Sequence, residues 1–326
     1  MRIAITGGTG FVGSHLLRRL REDDHEVVVL ARGSDGRTAD LLDRSNARFV
    51  AGSVTDREAL SGAFDGCDAV AHLAGINYER GDQSYETVHV AGTRAVVEAA
   101  EAAGVSRVVL TSYLRARPTC GSGYLESKWA AEEIVRDSDL GGTVVKPGIV
   151  YGPGDRTVRG IARGLVTAPV FPLVGLRTRY LRPLAIDDLV DVLAAATTDD
   201  RLSGRTVAVV GPEELSFDDL VRRVGSVIAR EPWTVPTPVL AHRLGARVQE
   251  LVMETPVVPR AGVRMLAEGA TEPAPPGVCD RLPEDLRPTR GVTTERIEAA
   301  LPRLEPFGPG DLRIGALDRR LGVFRS

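Results

Sequence analysis

The sequence predicts an α/β protein, in which a doubly wound parallel sheet is followed by a smaller, mostly helical C-terminal lobe. Short apolar, β-branched runs recur along residues 1–150 without polar alternation, as in strands that are buried on both faces. Helical patterns separate these runs, and a glycine-rich turn joins the first run to the first helix. Together these observations predict a Rossmann-type sheet with a ligand crevice at the carboxyl ends of its strands.

The elements of this sheet can be assigned in order along the chain. Strands are predicted at residues 2–6, 26–30, 48–51, 69–74, 107–111 and 143–146. Parallel strands need crossovers, and helical patterns occur at residues 85–103 and 124–136. Beyond these, we predict helices at residues 187–197 and 217–228 and a strand at residues 206–210.

The length of the chain favours two unequal lobes, because 326 residues exceed a typical single core. We predict a dinucleotide-binding domain at residues 1–150, with residues 183–211 packing back onto it. Prolines and glycines interrupt the strand and helix rhythm after residue 147, so residues 151–326 are predicted to form the substrate lobe.

Composition narrows the class of partner. The formal net charge is −3 and the arginines are dispersed, which disfavours nucleic acid. Three cysteines without paired spacing fit reduced thiols, and we predict no metal site. No apolar run is long enough to span a bilayer, and the first strand begins at residue 2, so we expect a cytoplasmic protein.

The first predicted strand runs directly into the turn Gly7-Gly8-Thr9-Gly10-Phe11-Val12-Gly13 and then into an apolar helical pattern. Glycines let a backbone turn tightly and approach a pyrophosphate, whose charge is favoured at the N-terminus of a helix. Packing of the strand on the helix is an alternative reason for glycine. Because strand, turn and helix occur in the required order, we predict a dinucleotide site.

A tyrosine and a lysine lie four residues apart at Tyr124 and Lys128, in a chain that has only one other lysine, Lys146. Residues four apart share one face of a helix. The ammonium can therefore favour the phenolate and lower the pKa of Tyr124 from about 10 towards the range of a general acid or base. An ordinary helix with a solvated lysine is the alternative.

The strand before this helix ends at Thr111 and Ser112, where a serine hydroxyl would face the crevice. Ser112 can hydrogen-bond a substrate oxygen while Tyr124 exchanges a proton with it, although serine is also a common turn former. We predict Ser112, Tyr124 and Lys128 as the catalytic residues.

In these segments the chain resembles the short-chain dehydrogenase/reductase superfamily, in its extended or atypical branch. Within that branch it is most similar to the group of the nucleotide-binding accessory subunit of respiratory complex I. The resemblance rests on residues 6–13, 72–75, 92–93, 110–112, 124–128, 146–155, 182–189 and 211–215.

The resemblance implies an NAD(P) cofactor, hydride transfer and a set of residues that bind the cofactor. The turn would hold the pyrophosphate, Ala74 and Gly75 would lie along the adenosine, Lys128 would touch the nicotinamide ribose, and residues 147–150 would flank the nicotinamide. The implied cofactor-binding residues are Gly7, Thr9, Gly10, Phe11, Val12, Arg32, Ser53, Val54, Leu73, Ala74, Gly75, Thr111, Tyr124, Lys128, Lys146, Pro147, Gly148, Ile149 and Val150.

The end of the second strand bears on the choice between the two nicotinamide cofactors. NAD-preferring members of the superfamily carry an acidic residue there, whereas this chain has Ala31 followed by Arg32. Arginine suits a 2′-phosphate, so we predict NADP, with NAD as the alternative if Arg32 is merely solvated.

Three residues depart from the pattern of the superfamily. Ser53 replaces an aspartate, His89 an asparagine that holds a relay water, and Lys146 an arginine. His89 either passes protons or is a satisfied helix histidine. Lys146 either meets cofactor or substrate, or forms an ion pair with Asp155.

We therefore expect an NAD(P)-dependent oxidoreductase or epimerase acting on a small alcohol, ketone or sugar nucleotide. The alternative is a non-catalytic NADP(H)-binding protein that serves a partner complex, and a homodimer is also compatible with the sequence. A third hypothesis, membrane-surface association through the apolar stripe at residues 239–253, competes with core or dimer packing of that stripe. Residues that either contact substrate or are simply solvated are Tyr151, Arg156, Arg177, Arg179 and Arg182.

Overall fold

The structure is a computed structural model, and it describes residues 1–33, 47–253, 255–301, 304–308 and 311–312. The strands are β1 (Arg2–Thr6), β2 (Glu26–Ala31), β3 (Arg48–Ala51), β4 (Ala69–His72), β5 (Arg107–Thr111), β6 (Thr143–Pro147), β7 (Val150–Tyr151), β8 (Val170–Val174), β9 (Tyr180–Leu181), β10 (Leu184–Ala185), β11 (Thr206–Val209), β12 (Leu215–Ser216) and β13 (Trp233–Thr237). The α-helices are α1 (Phe11–Glu22), α2 (Arg57–Phe64), α3 (Gly92–Ala102), α4 (Gly123–Arg136), α5 (Thr157–Thr167), α6 (Ile186–Thr198), α7 (Phe217–Val227), α8 (Val239–Val252), α9 (Arg260–Glu268) and α10 (Thr294–Ala300). A π-helix precedes α3 at Glu86–Ala91, and a short 3-10 helix lies at Glu284–Leu286.

The chain divides into two compact units. The first contains Met1–Val150, Pro183–Pro212 and Thr271–Gly291, and the second contains Tyr151–Arg182, Glu213–Ala270 and the C-terminal residues from Val292. Residues 271–291, which the sequence placed in the substrate lobe, thus belong to the first unit. They are held there by backbone bonds such as Ala274 N–H to Leu114 O at 3.1 Å, and by Arg290 against Asp188 at 2.6 Å.

The first unit contains a parallel sheet whose described strands follow the order β11-β6-β5-β4-β1-β2-β3. This is a doubly wound arrangement in which the strand order reverses between β1 and β4. The α/β class and the parallel sheet predicted from the sequence are confirmed. The carboxyl ends of β1 and β4 therefore mark the crevice where ligands bind in such sheets.

Both faces of the sheet are covered, which explains the absence of polar alternation in its strands. Helices α1 and α6 bury one face, in a cluster that includes Ile3, Leu16 and Leu193. Helices α2, α3 and α4 bury the other face, around Phe64, Val96 and Val135. These two layers fix the strand ends, and with them the residues of the crevice.

One predicted helix differs in form. The sequence predicted a single helix over residues 85–103, but its first turns form the π-helix Glu86–Ala91. A π-helix is wider than an α-helix and often occurs at functional sites. Here it contains the buried His89, and no residue pattern in the sequence signals the change of helix type.

In the second unit, β8 pairs in parallel with β13, and β9 pairs antiparallel with β12. Helix α7 begins with a capping box in which Ser216 and Asp219 satisfy each other's backbone N–H groups. Helix α8 packs its inner side on β8 and α9 through Ala246, Val174 and Val263.

The predicted helix at residues 217–228 and strand at residues 206–210 are found within one residue of those bounds.

Candidate active site

The glycine turn after β1 combines tight internal packing with an open helix end. Gly7 has φ +73°, and a Cβ there would lie 2.8 Å from the backbone of Ala74. A Cβ at Gly13 would lie 2.3 Å from the Gly7 carbonyl oxygen. Internal packing therefore requires glycine at both positions, and the turn contacts the residues that follow β4.

Gly10 is exposed, and internal packing gives a weaker reason for glycine at this position than at Gly7 and Gly13. A Cβ there would meet only the Gly7 carbonyl oxygen within 4 Å, at 3.2 Å. Gly10 is the N-cap of α1, and no side chain of the described residues caps the N–H groups of the first turn. Uncapped N–H groups at a helix N-terminus bind anions, and a missing side chain lets the anion approach. This end of α1 fits the pyrophosphate of a dinucleotide.

A chain of buried hydrogen bonds runs from the turn to the π-helix. Thr6 Oγ1 lies 2.6 Å from His72 Nδ1, and His72 Nε2 lies 3.0 Å from Thr93 Oγ1. The Thr93 hydroxyl donates to the His89 carbonyl oxygen at 2.5 Å, so it accepts from His72 Nε2–H. Burial and the charge of Lys128 lower the pKa of His72 to about 3, so this histidine is a fixed neutral link.

Tyr124 lies in the first turn of α4, buried within a group of aromatic rings. Its ring centroid is 5.6 Å from that of Tyr85, 5.7 Å from that of His89 and 6.3 Å from that of Tyr113. Burial, with a smaller effect of Tyr85, raises the pKa of the Tyr124 phenol above its usual value. The predicted lowering of this pKa by Lys128 is therefore wrong for this arrangement, because burial penalises the charged phenolate.

Lys128 lies one turn further along the same face of α4 and is also buried. Its ammonium donates to the Thr111 carbonyl oxygen at 3.1 Å, at the end of β5. A Cβ placed on Gly75 would lie 3.2 Å from Lys128 Nζ, so the end of β4 also contacts this amine. Burial lowers the pKa of Lys128 to about 8, although Glu132 acts in the opposite direction.

His89 is held by hydrogen bonds at both ring nitrogens. Nε2 accepts from the Ile76 N–H at 3.0 Å, so in the neutral ring the proton is on Nδ1, which lies 2.9 Å from Ser127 Oγ. Ser127 in turn donates to the Tyr124 carbonyl oxygen at 2.9 Å. Burial and the charge of Lys128 lower the pKa of His89 to about 2. Of the two predicted roles, the satisfied histidine is the one that fits, and His89 links the π-helix to the first turn of α4.

Glu132 is the central residue of a buried polar cluster that the sequence interpretation missed. It is fully buried, and it accepts a hydrogen bond from Ser112 Oγ at 2.5 Å. It also accepts from Lys146 Nζ at 2.6 and 2.8 Å and from Arg136. The signal for Glu132 was its spacing: Tyr124, Lys128, Glu132 and Arg136 follow one another at intervals of four along one helix face.

The position of Lys146 corrects both of its predicted roles. Its side chain is fully buried, so the ammonium does not reach the crevice, and it bonds Glu132 and the Ala116 carbonyl oxygen at 3.0 Å. Burial lowers the pKa of Lys146, while the Glu132 carboxylate opposes that change. The carboxylate of Asp155 instead accepts from the backbone N–H groups of Gly152 and Val158. Lys146 is therefore a partner of Glu132, not of cofactor or Asp155.

Ser112 is buried beside this cluster, and its single proton is directed to Glu132. A serine in that state can still accept a hydrogen bond, but it has no proton for a substrate carbonyl oxygen. The neighbouring Thr111 Oγ1 is buried and has no hydrogen-bond partner among the described residues. A buried hydroxyl without a partner at a strand end is available to a ligand.

The other predicted cofactor residues lie around the same strand ends. Arg32 is exposed directly after β2, and Ser53 bonds Thr55 in the turn after β3. Val54 packs against Gly92, and Leu73 follows β4. Residues after β6 are tied to the sheet, as in the bond from the Gly148 N–H to Val209 O at 2.9 Å. The exposed residues among the predicted set are Thr9, Gly10, Arg32 and Gly75, and those of intermediate exposure are Gly7, Phe11, Val12, Ser53, Leu73, Ala74, Thr111, Ile149 and Val150.

The predicted substrate contacts belong to the second unit. Arg182 pairs with Glu214 at 3.7 Å, and Arg177 and Arg179 are exposed. Tyr151 is buried, and Arg156 is the N-cap of α5. Their role in substrate binding stays a prediction. No helix among the described residues is long and apolar enough to cross a membrane.

The fold, the uncapped glycine turn and the buried Tyr124–Lys128 pair define a nicotinamide-dinucleotide-binding protein. A family model described as NAD(P)H-binding matches residues 7–165. The chain is 32% identical over 262 residues to a ceramide reductase of Caulobacter vibrioides, covering 80% of this chain and 76% of the relative. The chain thus belongs to the short-chain dehydrogenase/reductase superfamily, in its extended or atypical branch, and NAD(P) is its cofactor.

Two further comparisons agree with this assignment. Subunit 9 of the mitochondrial NADH dehydrogenase (ubiquinone) 1 alpha subcomplex of Arabidopsis thaliana is 28% identical over 240 residues, which cover 72% of this chain but only 60% of that protein. A UDP-glucuronic acid 4-epimerase of Bacillus cereus, solved with UDP-glucuronic acid and NAD, superposes with a TM-score of 0.67. It covers 92% of this chain and 98% of its own, and at 20% identity it shows the fold alone.

Proposed function

We propose that this protein is an NADP(H)-dependent oxidoreductase that reduces a carbonyl group to an alcohol, with Tyr124 as the proton donor. The observation that carries the proposal is the buried pair on α4. Tyr124 and Lys128 share one helix face, and the Lys128 ammonium lies at the carboxyl ends of β5 and β4, against Thr111 O and Gly75. In a sheet of this topology that edge is the ligand crevice.

The protonation states of the pair suit the reductive direction. Burial keeps the Tyr124 phenol protonated, which is the form that a general acid needs. Below about pH 8 Lys128 is positively charged and can stabilise the phenolate that remains after proton transfer. The nicotinamide supplies the hydride when it is bound. Tyr124 transfers its proton to the substrate oxygen, and the product is an alcohol.

The residues that would hold the cofactor are those of the crevice. The first turn of α1, from Phe11, offers uncapped N–H groups to the pyrophosphate. Thr111 Oγ1 offers a hydroxyl that has no partner among the described residues. We further propose that Arg32, exposed after β2, favours the 2′-phosphate of NADP over NAD.

The substrate that we propose is a carbonyl group on a lipid. The Caulobacter relative is named as a ceramide reductase, and at 32% identity over most of this chain it favours that class over sugar nucleotides. Its support is stronger than that of the epimerase, whose likeness extends to the fold only.

A direct test is a screen of ketones with NADPH, in which detergent-dispersed sphingolipid ketones are compared with UDP-sugars by the loss of nicotinamide absorbance. We expect turnover of a lipid ketone by the wild type, and a loss of about a thousandfold in Tyr124→Phe, which should still bind NADPH. Tyr180→Phe, which removes the hydroxyl of an exposed tyrosine on β9, is the control. Undiminished turnover by Tyr124→Phe would exclude Tyr124 as the acid.

A second candidate is a cofactor-binding protein without turnover, which serves a partner complex. It is favoured by the Ser112–Glu132 hydrogen bond, which removes the serine proton from the crevice, and by the likeness to the Arabidopsis subunit. The same screen separates the two candidates. NADPH binding without turnover of any ketone in either class would support the second.

A further inference from the structure

Helix α8 in the second unit exposes its large apolar side chains. Leu240, Leu244, Val248 and Leu251 are 67, 59, 57 and 58% exposed. Their spacings of four, four and three residues place them on one side of the helix. Four large apolar side chains in a continuous exposed stripe are unusual for a surface that meets only water.

Two polar side chains on the inner side of α8 are bonded to the protein. His242 Nε2 lies 3.2 Å from Leu173 O, and Gln249 Oε1 accepts from the backbone N–H groups of Val257 and Val258 at 3.0 and 3.3 Å. Between them, Ala246 is buried. The inner side of α8 therefore combines a small apolar side chain with bonded polar ones, whereas its large aliphatic side chains face outward. The outward face is therefore suited to contact an apolar environment other than the interior of this protein.

Two arginines border this apolar stripe. Arg243 and Arg247 are exposed, and each is one helical turn from a leucine or valine of the stripe. Neither has an ion pair or side-chain hydrogen bond with the part of the chain that the structure describes. The one carboxylate of α8, Glu250, accepts from the Arg260 N–H. The border of the stripe is therefore positively charged.

The patch continues beyond the helix. Leu176 is 70% exposed and Arg177 is exposed beside it. Their neighbour Gly175 lies next to Val239, since a Cβ on Gly175 would be 3.7 Å from that side chain. The same combination of an apolar side chain and an arginine thus occurs at the N-terminal end of α8.

We propose that α8, with Leu176 and Arg177, docks on the surface of an anionic phospholipid bilayer. An amphipathic helix with a basic border lies in the plane of a bilayer, with its apolar side chains at the headgroup boundary and its arginines on the phosphates. A second copy of this chain fits less well, because a twofold contact would bring the same arginines together without a free carboxylate on α8. The inference is independent of the proposed reaction, although a docked protein would have access to lipid substrates.

The experiment is flotation of the full-length chain with vesicles of phosphatidylcholine, with or without an equal amount of phosphatidylglycerol. We expect binding to the anionic vesicles and weak binding to the neutral ones. Arg243→Gln with Arg247→Gln should weaken binding to anionic vesicles by roughly 25-fold, because each basic residue at such a surface contributes about fivefold. Leu244→Glu with Leu251→Glu should abolish it.

The matched control replaces two exposed arginines of the first unit, Arg18→Gln with Arg57→Gln, which changes the net charge equally and should leave vesicle binding intact. Circular dichroism reports folding, and the arginine pair carries the test if the glutamate pair fails to fold. NADPH affinity on the same samples should stay constant, which separates this test from that of the reaction. Failure of the wild type to bind anionic vesicles, equal binding by the variants, or a dimer that Leu244→Glu dissociates without any vesicle binding would overturn the proposal.

Discussion

At the Tyr124 hydroxyl, burial sets the direction of the pKa shift. The sequence placed the two groups on one helix face, which the structure bears out, but the aromatic group around the phenol was not visible from spacing. Desolvation disfavours both the phenolate and the ammonium, so it raises the pKa of Tyr124 and lowers that of Lys128. The pair therefore consists of a protonated phenol and an amine whose pKa is about 8.

We infer that His89 aligns the Tyr124–Lys128 pair through its hydrogen bonds and does not exchange protons with it. His89→Phe removes the bonds to the Ile76 N–H and to Ser127, and we expect the NADPH-dependent rate to fall about tenfold through loss of alignment. Because the pKa of His89 is about 2, it does not titrate in the working range, and the shape of the pH–rate profile should not change.

Ser127→Ala removes the other end of the same contact and serves as the partner in a double-mutant cycle. We expect the two losses to be non-additive, measured as kcat/KM. A pH profile that loses one limb in His89→Phe would instead identify this histidine as a proton relay.

At the scale of the element, α4 carries a ladder of charged and polar groups along one face. Tyr124, Lys128, Glu132 and Arg136 follow each other at every turn, and Glu132 receives bonds from Ser112 and Lys146 outside the helix. A buried carboxylate is stable only when donors surround it. Glu132 therefore ties the ends of β5 and β6 to the helix that carries Tyr124.

This cluster predicts a specific pattern of stabilities. Glu132→Gln leaves the Lys146 ammonium buried beside a neutral group, and we expect it to lower the free energy of unfolding by about 3–5 kcal/mol. Glu132→Gln combined with Lys146→Met should recover most of that loss, because the uncompensated charge is gone. Urea denaturation measures both.

Glu133→Gln is the matched control for this series. Glu133 is the adjacent carboxylate and its side chain is half exposed. Within the described part of the chain it pairs only with Arg136, so we expect a change of less than about 1 kcal/mol. If Glu132→Gln and Glu133→Gln lowered the free energy of unfolding equally, the buried ion pair would contribute no more to stability than the exposed one.

At the scale of the whole molecule, the sequence predicted the sheet well because its signals are local. Buried strands, the glycine turn and the four-residue spacing on α4 each depend on neighbours in the chain. What it could not predict depends on distant contacts: Lys146 meets Glu132 across 14 residues, and residues 271–291 return to the first unit through Ala274 and Arg290. The π-helix likewise follows from packing, not from a residue pattern.

Cofactor binding should stabilise the fold in proportion to affinity. NADPH at about one hundred times its Kd should raise the free energy of unfolding by about 2.7 kcal/mol, and NADH at the same concentration by less. Thermal unfolding with each nucleotide measures the difference. Arg32→Ser should remove the advantage of NADPH, whereas Arg57→Ser, an exposed arginine paired with Glu98, should not. Equal shifts with both nucleotides in the wild type would contradict the preference for NADP.

We propose that Lys128 stabilises the phenolate formed when Tyr124 gives up its proton, and the pH dependence of kcat/KM for NADPH-dependent reduction is the measurement that checks this. Burial lowers the pKa of Lys128 to about 8, so the charged form is present below that pH and is lost above it. We expect the wild-type rate to be level near neutrality and to fall as pH rises through about 8, while Lys128→Met is about a hundredfold slower and lacks this fall. A wild-type profile that stays level to about pH 10, or the same fall in Lys128→Met, would contradict the account.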